Sequence, residues 1–280
     1  VPEIAEVETV RRTLERVLLG KKITATEFVD DKIVLGKRPP SDFNHVTEQG
    51  KVTAVKRKGK YWWIEFERGP MLFGHLGMAG WIREIGAATI RLKEHGKKPM
   101  DDENGHPRFL KMMLTAEDGK RIAFTDGRRL SRLWLADSAQ KIKGVAQLGP
   151  DMYLEPYSPE KLHEILSKRS APIKALLLNQ KLFAGIGNWI ADEVCYQARI
   201  SPKRLAKDLT KAEVKRLLAA IKSVLTIAIE AGADEKKYPA TWMFHGRWGG
   251  KRGAKTMQGF EVIREKVGGR TTAWVPKLQK

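Results

Sequence analysis

The chain has 280 residues, 42% of them hydrophobic, enough for two or three small domains with cores of their own. The 52 Lys and Arg against 33 Asp and Glu leave a net charge of +19, which points to a polyanionic partner, nucleic acid first and an anionic membrane surface second. No apolar run approaches the ~18–20 residues of a membrane span, no signal segment is visible, and a single cysteine, Cys195, excludes an internal disulfide or a cysteine-based zinc site and suits a reducing, intracellular setting.

The first segment, VPEIAEVETVRRTLE, reads as a helix. Val7, Val10, Leu14, Val17 and Leu18 recur at helical spacing, and Gly20 is the stop. Pro2 has two readings. It can start the helix, where a missing N–H costs nothing. Alternatively, once residue 1 is removed, it carries a secondary amine. An α-amino group has a pKa near ~8, so a fraction is unprotonated at neutral pH and can form a Schiff base with a sugar carbon.

The rest of the first half reads as β. KITATEFVDDKIVL, KVTAVKRKG, KYWWIEFE and PMLFGHLG are short segments rich in β-branched and aromatic residues, broken by Gly, Pro and Asp. FLKMMLTAEDGKRIAFTD is a hairpin around Asp118-Gly119. Between them Glu94–Arg108 is a polar, glycine-bearing loop, read as mobile. Pro and Gly in LGPDMYLEPYSPE (148–160) mark a boundary, after which the pattern turns helical. Ser158 caps KLHEILSK, APIKALLLNQ follows, and GIGNWIADEVCYQARI begins with a glycine turn and continues as a helix led by Asn188. Thr210 and Glu213 open a long amphipathic helix. The final segment reads as two short strands around Gly268-Gly269, and no internal repeat is present.

Charge is clustered along this path. KVTAVKRKGK (51–60) holds five basic residues and no acid, and 247–280 holds nine (Arg247, Lys251, Arg252, Lys255, Arg264, Lys266, Arg270, Lys277, Lys280) against Glu261 and Glu265. Interleaving with Tyr61, Trp62, Trp63, Trp248, Phe260 and Trp274 suits a nucleic-acid groove, and no long helix combines a basic face with a Trp/Phe/Leu face for a membrane. The turn before Asn188, with Gly185 and Gly187, offers free helix N–H groups to a phosphate. DGRRL (126–130) puts two arginines at a strand end, and GHLGMAG (74–80) puts His75 and Met78 on a glycine-rich loop. Each of these alone also has a purely structural reading.

In order and spacing, the pieces resemble the formamidopyrimidine-DNA glycosylases, a helix–two-turns–helix family. That family opens PELPEVE, where this chain has PEIAEVE (2–8). Its RRGKY-like strand is matched by RKGKY with Lys60, its HLGMSG by HLGMAG, its DPRRF by DGRRL, and its AGIGNIYADE by AGIGNWIADE. The resemblance implies an α+β fold: an N-terminal β-sandwich with a leading helix (1–147), a helix–two-turns–helix domain (148–240) and a C-terminal β-hairpin finger (241–280). It also implies a monomeric, cofactor-free, bifunctional DNA glycosylase and abasic-site lyase acting on damaged double-stranded DNA. Such an enzyme would reside with the nucleoid of a bacterium or in the nucleus of a eukaryote. Carried over by position, Pro2 is the nucleophile, Glu3 the general acid/base, Lys60 a phosphate or lesion contact and Arg270 a grip on the backbone. His75, Met78, Arg128, Leu130, Lys174, Asn188 and Arg247 bind DNA, with Met78, Arg128 and Leu130 filling the gap left by the extruded nucleotide.

Three departures qualify what the resemblance implies. Residue 1 is Val, read as a GTG start codon translated literally, with the initiator removed before proline. The four zinc cysteines are replaced by Lys255, Gln258, Val275 and Leu278, so the finger is expected to be zincless, as in the plant and fungal members that FHGRWG and GGRTTAWVPKLQK resemble. The stretch ADEKKYPATWMFHGR is short, and the usual phenylalanine wedge is Leu130. Ring-opened formamidopyrimidines and abasic sites are therefore favoured over 8-oxoguanine. A non-catalytic binder of damaged DNA and an oxidised-pyrimidine glycosylase are the alternatives. Cys195 is read as buried packing, and Asp192 as capping and solvating its helix.

Overall fold

The computed structural model describes residues 2–91, 99–247, 254–256 and 258–280. Val1, the first part of the 94–108 loop, Trp248, Lys251 and Arg252 lie outside the described residues. Two compact units result, Val1–Gln147 and Leu148–Lys280.

In the first unit, helix α1 (Ile4–Leu18) precedes, among the described residues, eight strands in two antiparallel sheets. The strands are β1 (Ile23–Phe28), β2 (Val52–Lys58), β3 (Tyr61–Phe66), β4 (Met71–His75), β5 (Trp81–Glu84), β6 (Leu110–Ala116), β7 (Arg121–Thr125) and β8 (Arg132–Ala136). Their orders are β1-β6-β7-β5 and β2-β3-β4-β8. Val7, Leu14 and Leu18 of α1 share one buried cluster with Ile64 and Leu72 of one sheet and Leu114 and Phe124 of the other. Trp62 meets Phe124 edge-on across it, with ring centroids 6.0 Å apart. A Cβ at Gly74 would lie 2.1 Å from the Trp62 ring, so that position requires glycine.

KITATEFVDDKIVL forms a short strand, as its pattern suggests, that occupies only its first half. Pairing stops at Phe28 because the Asp31 carboxylate takes the Ile33 and Val34 N–H groups and closes a turn. A helix, α2 (Pro40–Thr47), then follows in a stretch for which the sequence suggested no element, with Pro at its first turn and Phe43 and Thr47 as its buried face. The described part of the polar loop, 99–108, is a closed turn. Asp101 bridges Pro107, and the Asp102 carboxylate accepts from the N–H groups of Asn104 and His106. One helical turn, α3 (Lys143–Ala146), ends the unit.

The second unit is helical until its last 20 residues or so. Ser158 caps α4 (Pro159–Ser167), and α5 (Ile173–Leu177) is far shorter than APIKALLLNQ suggested. The chain turns after it, and Gln180 clamps the next turn, donating to Ile186 O at 2.8 Å and accepting from Gly185 N–H at 3.1 Å. Helix α6 (Asn188–Gln197) starts there. Thr210 and Glu213 form the expected reciprocal cap of α7 (Lys211–Glu230). A short helix, α8 (Phe244–Arg247), leads to the hairpin β9 (Ile263–Val267)–β10 (Arg270–Trp274), which turns on Gly268 and Gly269, both at positive φ. Among the described residues no helix is long and apolar enough to cross a membrane.

Candidate nucleic-acid interface

Pro2 does not start the helix. Glu3 is the N-cap and Pro2 stands one residue before it, outside the helical ladder. Both are buried. Glu3 is fixed by a capping box in which the Glu6 carboxylate accepts the Glu3 N–H at 2.9 Å. Burial, and then the Glu3 charge, push the Glu6 carboxyl up to about 7. Glu8, on the next turn, pairs with Arg57 of β2 at 3.0 Å, and Arg57 in turn donates to Gly59 O. Gly59, with φ +56, and Lys60 form the two-residue turn joining β2 to β3. The N-terminal half of α1 is thus fastened to the turn that carries Lys60.

The two glycine- and arginine-bearing loops meet. Gly77, φ +64, lies so close to the Leu130 carbonyl that a Cβ would come within 2.4 Å of it, which brings the Met78 loop against the Leu130 turn. Met78 is half-buried, while Arg128 and Leu130 are exposed. The turn is organised by two carboxylates that the sequence reading did not single out. Asp126 is buried and accepts the N–H groups of Arg128, Leu130 and Ser131 at 2.7–2.9 Å. Asp31 receives Arg129 through Nε and Nη2, and Lys111 at 2.8 Å. The Arg129 bonds, first of all, hold the Asp31 carboxyl well below the usual range. The motif's second arginine is therefore structural, which leaves Arg128 as the available one.

His75 ends β4, and its Nδ1 accepts the Gly77 N–H at 3.0 Å. Burial, helped by the positive charges of Lys60 and Arg132, lowers its pKa to about 4. The ring is neutral at neutral pH, with its proton on Nε2.

In the second unit, Asp192 is the centre of a buried network. It was expected to cap and solvate its helix, but it is fully buried. It pairs with Lys174, accepts from Arg247 Nε at 2.9 Å and from the Ala273 N–H of β10 at 3.1 Å. Burial raises its carboxyl and the two cations oppose that rise. Lys174, expected at the DNA, is 0% exposed, and burial lowers its ammonium. Its Nζ also donates to Thr271 O at 3.3 Å. A lysine withdrawn this far from water reaches no phosphate directly; it supports the hairpin. Arg247 is nearly buried too, and its carbonyl accepts from Arg264 of β9. The neighbouring Glu193 accepts from Gln197 and from the Phe244 N–H, and burial pushes it up to about 7.

Asn188 Nδ2 donates to the same Thr271 carbonyl at 3.0 Å. Asn188 and the exposed Arg270 are thereby set beside each other at the start of β10. Val275 lies in an apolar cluster with Tyr196, Met243, Val262 and Ala273, against which Leu278 packs, and Gln258 accepts from the Tyr196 hydroxyl. These side chains, with Lys255, offer no thiolate or imidazole to a zinc ion. Cys195 is fully buried, and burial pushes its thiol up to about 12, as packing requires. The signal that could have exposed the Asp192 network was an acid on an otherwise apolar helix face beside Glu193.

A family model described as the formamidopyrimidine-DNA glycosylase N-terminal domain matches residues 1–133, and one for the H2TH domain of the same enzymes matches 148–239. A formamidopyrimidine-DNA glycosylase of Arabidopsis thaliana is 39% identical over the whole chain, which covers 71% of that protein. One from Pelotomaculum thermopropionicum is 34% identical, with 100% of this chain and 99% of the relative covered. Among solved structures, MutM in complex with DNA containing carbocyclic 8-oxo-G matches with a TM-score of 0.79 at 27% identity over 100% of both chains. The Lactococcus lactis enzyme bound non-covalently to DNA containing an AP site matches with the same score and identity over 99% of each.

Proposed function

The chain belongs to the formamidopyrimidine-DNA glycosylase family, and on that footing we propose that it removes ring-opened purines from double-stranded DNA through the amine of Pro2. As a member it is a DNA glycosylase of base excision repair with abasic-site lyase activity, acting on damaged duplexes. A substrate of damaged DNA supports a cytoplasmic, nucleoid-associated setting in a bacterium or a nuclear one in a eukaryote.

The reaction requires Pro2 as a free N-terminal amine. The Pro2 nitrogen, unprotonated in a fraction of molecules near neutral pH, attacks C1′ of the extruded nucleoside. The C1′–N bond breaks, and the base leaves with a proton. Glu3 protonates the sugar ring oxygen as the ring opens to the imine, then works as a base. Successive β- and δ-eliminations release the two phosphates, and hydrolysis returns the free amine. Lys60, on the turn fastened to α1, supplies positive charge at the lesion. His75, neutral with its Nε2 proton available, donates to phosphate without desolvating a cation. Asn188 and Arg270 grip the backbone, Asn188 through the second hydrogen of its Nδ2. Lys174 and Arg247 act through Asp192 on the hairpin. Met78, Arg128 and Leu130 fill the vacated space.

The observation that carries this reading is Pro2 standing just outside the ladder of α1, beside a Glu3 that the Glu6 carboxylate holds in place. Intact mass followed by borohydride trapping on an abasic-site duplex tests it. A chain starting at Pro2 should become covalently joined to DNA, and Pro2→Gly should weaken trapping at least ten-fold. A correctly processed chain that binds the duplex and never traps overturns it.

A further inference from the structure

We propose that Phe109 is a base-stacking platform, whose exposed ring stacks on the base left unpaired opposite the extruded nucleotide. The inference rests on the function proposed above. It starts from an anomaly of placement. The other phenylalanines of the first unit, Phe28, Phe43, Phe66, Phe73 and Phe124, are at most 8% exposed, whereas Phe109 is 51% exposed. Its backbone is left-handed, with φ +59, a conformation that disfavours a bulky aromatic residue and persists only where the surroundings impose it.

Those surroundings are the Arg128–Leu130 turn. The Phe109 carbonyl accepts the Asp126 N–H at 2.9 Å. Its ring lies over Gly127, where a Cβ would come within 3.2 Å of the ring. Two residues on, Lys111 shares the Asp31 carboxylate with Arg129, so the strand bearing Phe109 and the turn bearing Arg128 are held by one buried acid. The Arg108 guanidinium lies 5.6 Å from the ring centroid.

An aromatic face held in water beside two arginines, Arg108 and Arg128, contributes little to a core. It matches a nucleobase carried between phosphates: the ring meets the base's π-face and the cations meet its backbone. The occupant follows from the turn it adjoins. Arg128 and Leu130 stand at the positions assigned to fill the helix, but an aliphatic Leu130 has no π-face to offer the base that loses its partner. Phe109 supplies that face from the next strand. A Cβ at position 127 would press on the ring, so the glycine gives it room.

The test uses a duplex with a non-cleavable abasic analogue opposite 2-aminopurine, whose fluorescence is quenched by stacking. Wild-type protein should quench it on binding. Phe109→Ala and Phe109→Gly should leave it bright and lower duplex affinity by roughly 10- to 100-fold, while Phe109→Trp keeps it quenched. Phe109→Gly, which suits the left-handed backbone, should melt no lower than Phe109→Ala, so a bright signal from both does not reflect loss of the fold. Quenching by Phe109→Ala equal to that of wild type, or none by wild type itself, overturns the proposal. Wild-type protein that fails to trap on an abasic duplex instead overturns the underlying function, so the two failures are distinct.

Discussion

Both units hold their basic residues with buried carboxylates, and they use them in opposite ways. In the first, Asp126 and Asp31 take up backbone N–H groups, Lys111 and the half-exposed Arg129, and the turn they organise leaves Arg128 and Leu130 in water. In the second, Asp192 draws Lys174 and nearly all of Arg247 out of water, while Arg270 stays exposed and Asn188 half-buried. The first arrangement presents cations. The second spends them on the framework that holds the hairpin. A basic residue in a matching motif position is therefore not by itself a DNA contact.

The difference predicts unequal sensitivity to losing the acid. Asp192→Ala strands the buried Lys174 ammonium and should cost about 3–5 kcal/mol in denaturant unfolding. Pairing it with Lys174→Met should recover a large share, because no uncompensated charge then remains; a double variant no more stable than the single would break the comparison. Next comes pH. Glu6 in the first unit and Glu193 in the second both sit near 7 when folded, above their unfolded value of 4.5. The folded state binds the extra proton, so this stability is fully present below pH 4.5 and is lost as pH rises through 7. The loss is on the order of 3 kcal/mol per group. Asp31, held low by Arg129, has the opposite sign: its contribution is present above the ordinary carboxylate range and lost in acid. Unfolding measured at pH 5 and 7.5 should show a smaller drop in Glu193→Gln than in wild type, and an unchanged drop would contradict the assignment.

Asp126→Ala leaves three backbone N–H groups without their acceptor. Because the turn can open toward water, the expected cost is about 2 kcal/mol, with duplex affinity falling alongside. A variant that kept full affinity would show that the turn needs no such support. At the small end stands Glu164, an exposed residue lowered to about 2 by its hydrogen bonds to Lys168 and Lys161. Glu164→Gln should leave the melting temperature unchanged, since surface pairs in water contribute little.

Local signals read correctly from the chain share one property: their partners are close in sequence. The Thr210–Glu213 cap, the Gly268-Gly269 turn, the Asp118-Gly119 hairpin and the amphipathic α1 are all settled within one helical turn or one pair of strands. The motif strings that hold Pro2, Glu3, Lys60 and Asn188 point to the family for the same reason, as short strings in a fixed order. What escaped was set by distant partners. The β segment after Lys22 ends where Asp31 turns toward Lys111 and Arg129, 80 and 98 residues away. APIKALLLNQ yields a short helix because Gln180 bends the chain to hold the glycine turn.

The sequence by itself determined the charge, the order of β and helical halves, the motif string and, through it, the family and its reaction. Only the tertiary structure decided which cations face water. Lys174 and Arg128 are equally basic as letters, and a buried acid converges on one while a buried acid beside the other leaves it exposed. Burial is a property of everything packed around a residue, and the energy of a charge depends on that surrounding medium more than on the charge itself. The surroundings of Asp192, Asp126 and Phe109 therefore became visible only once segments far apart in the chain were brought into contact.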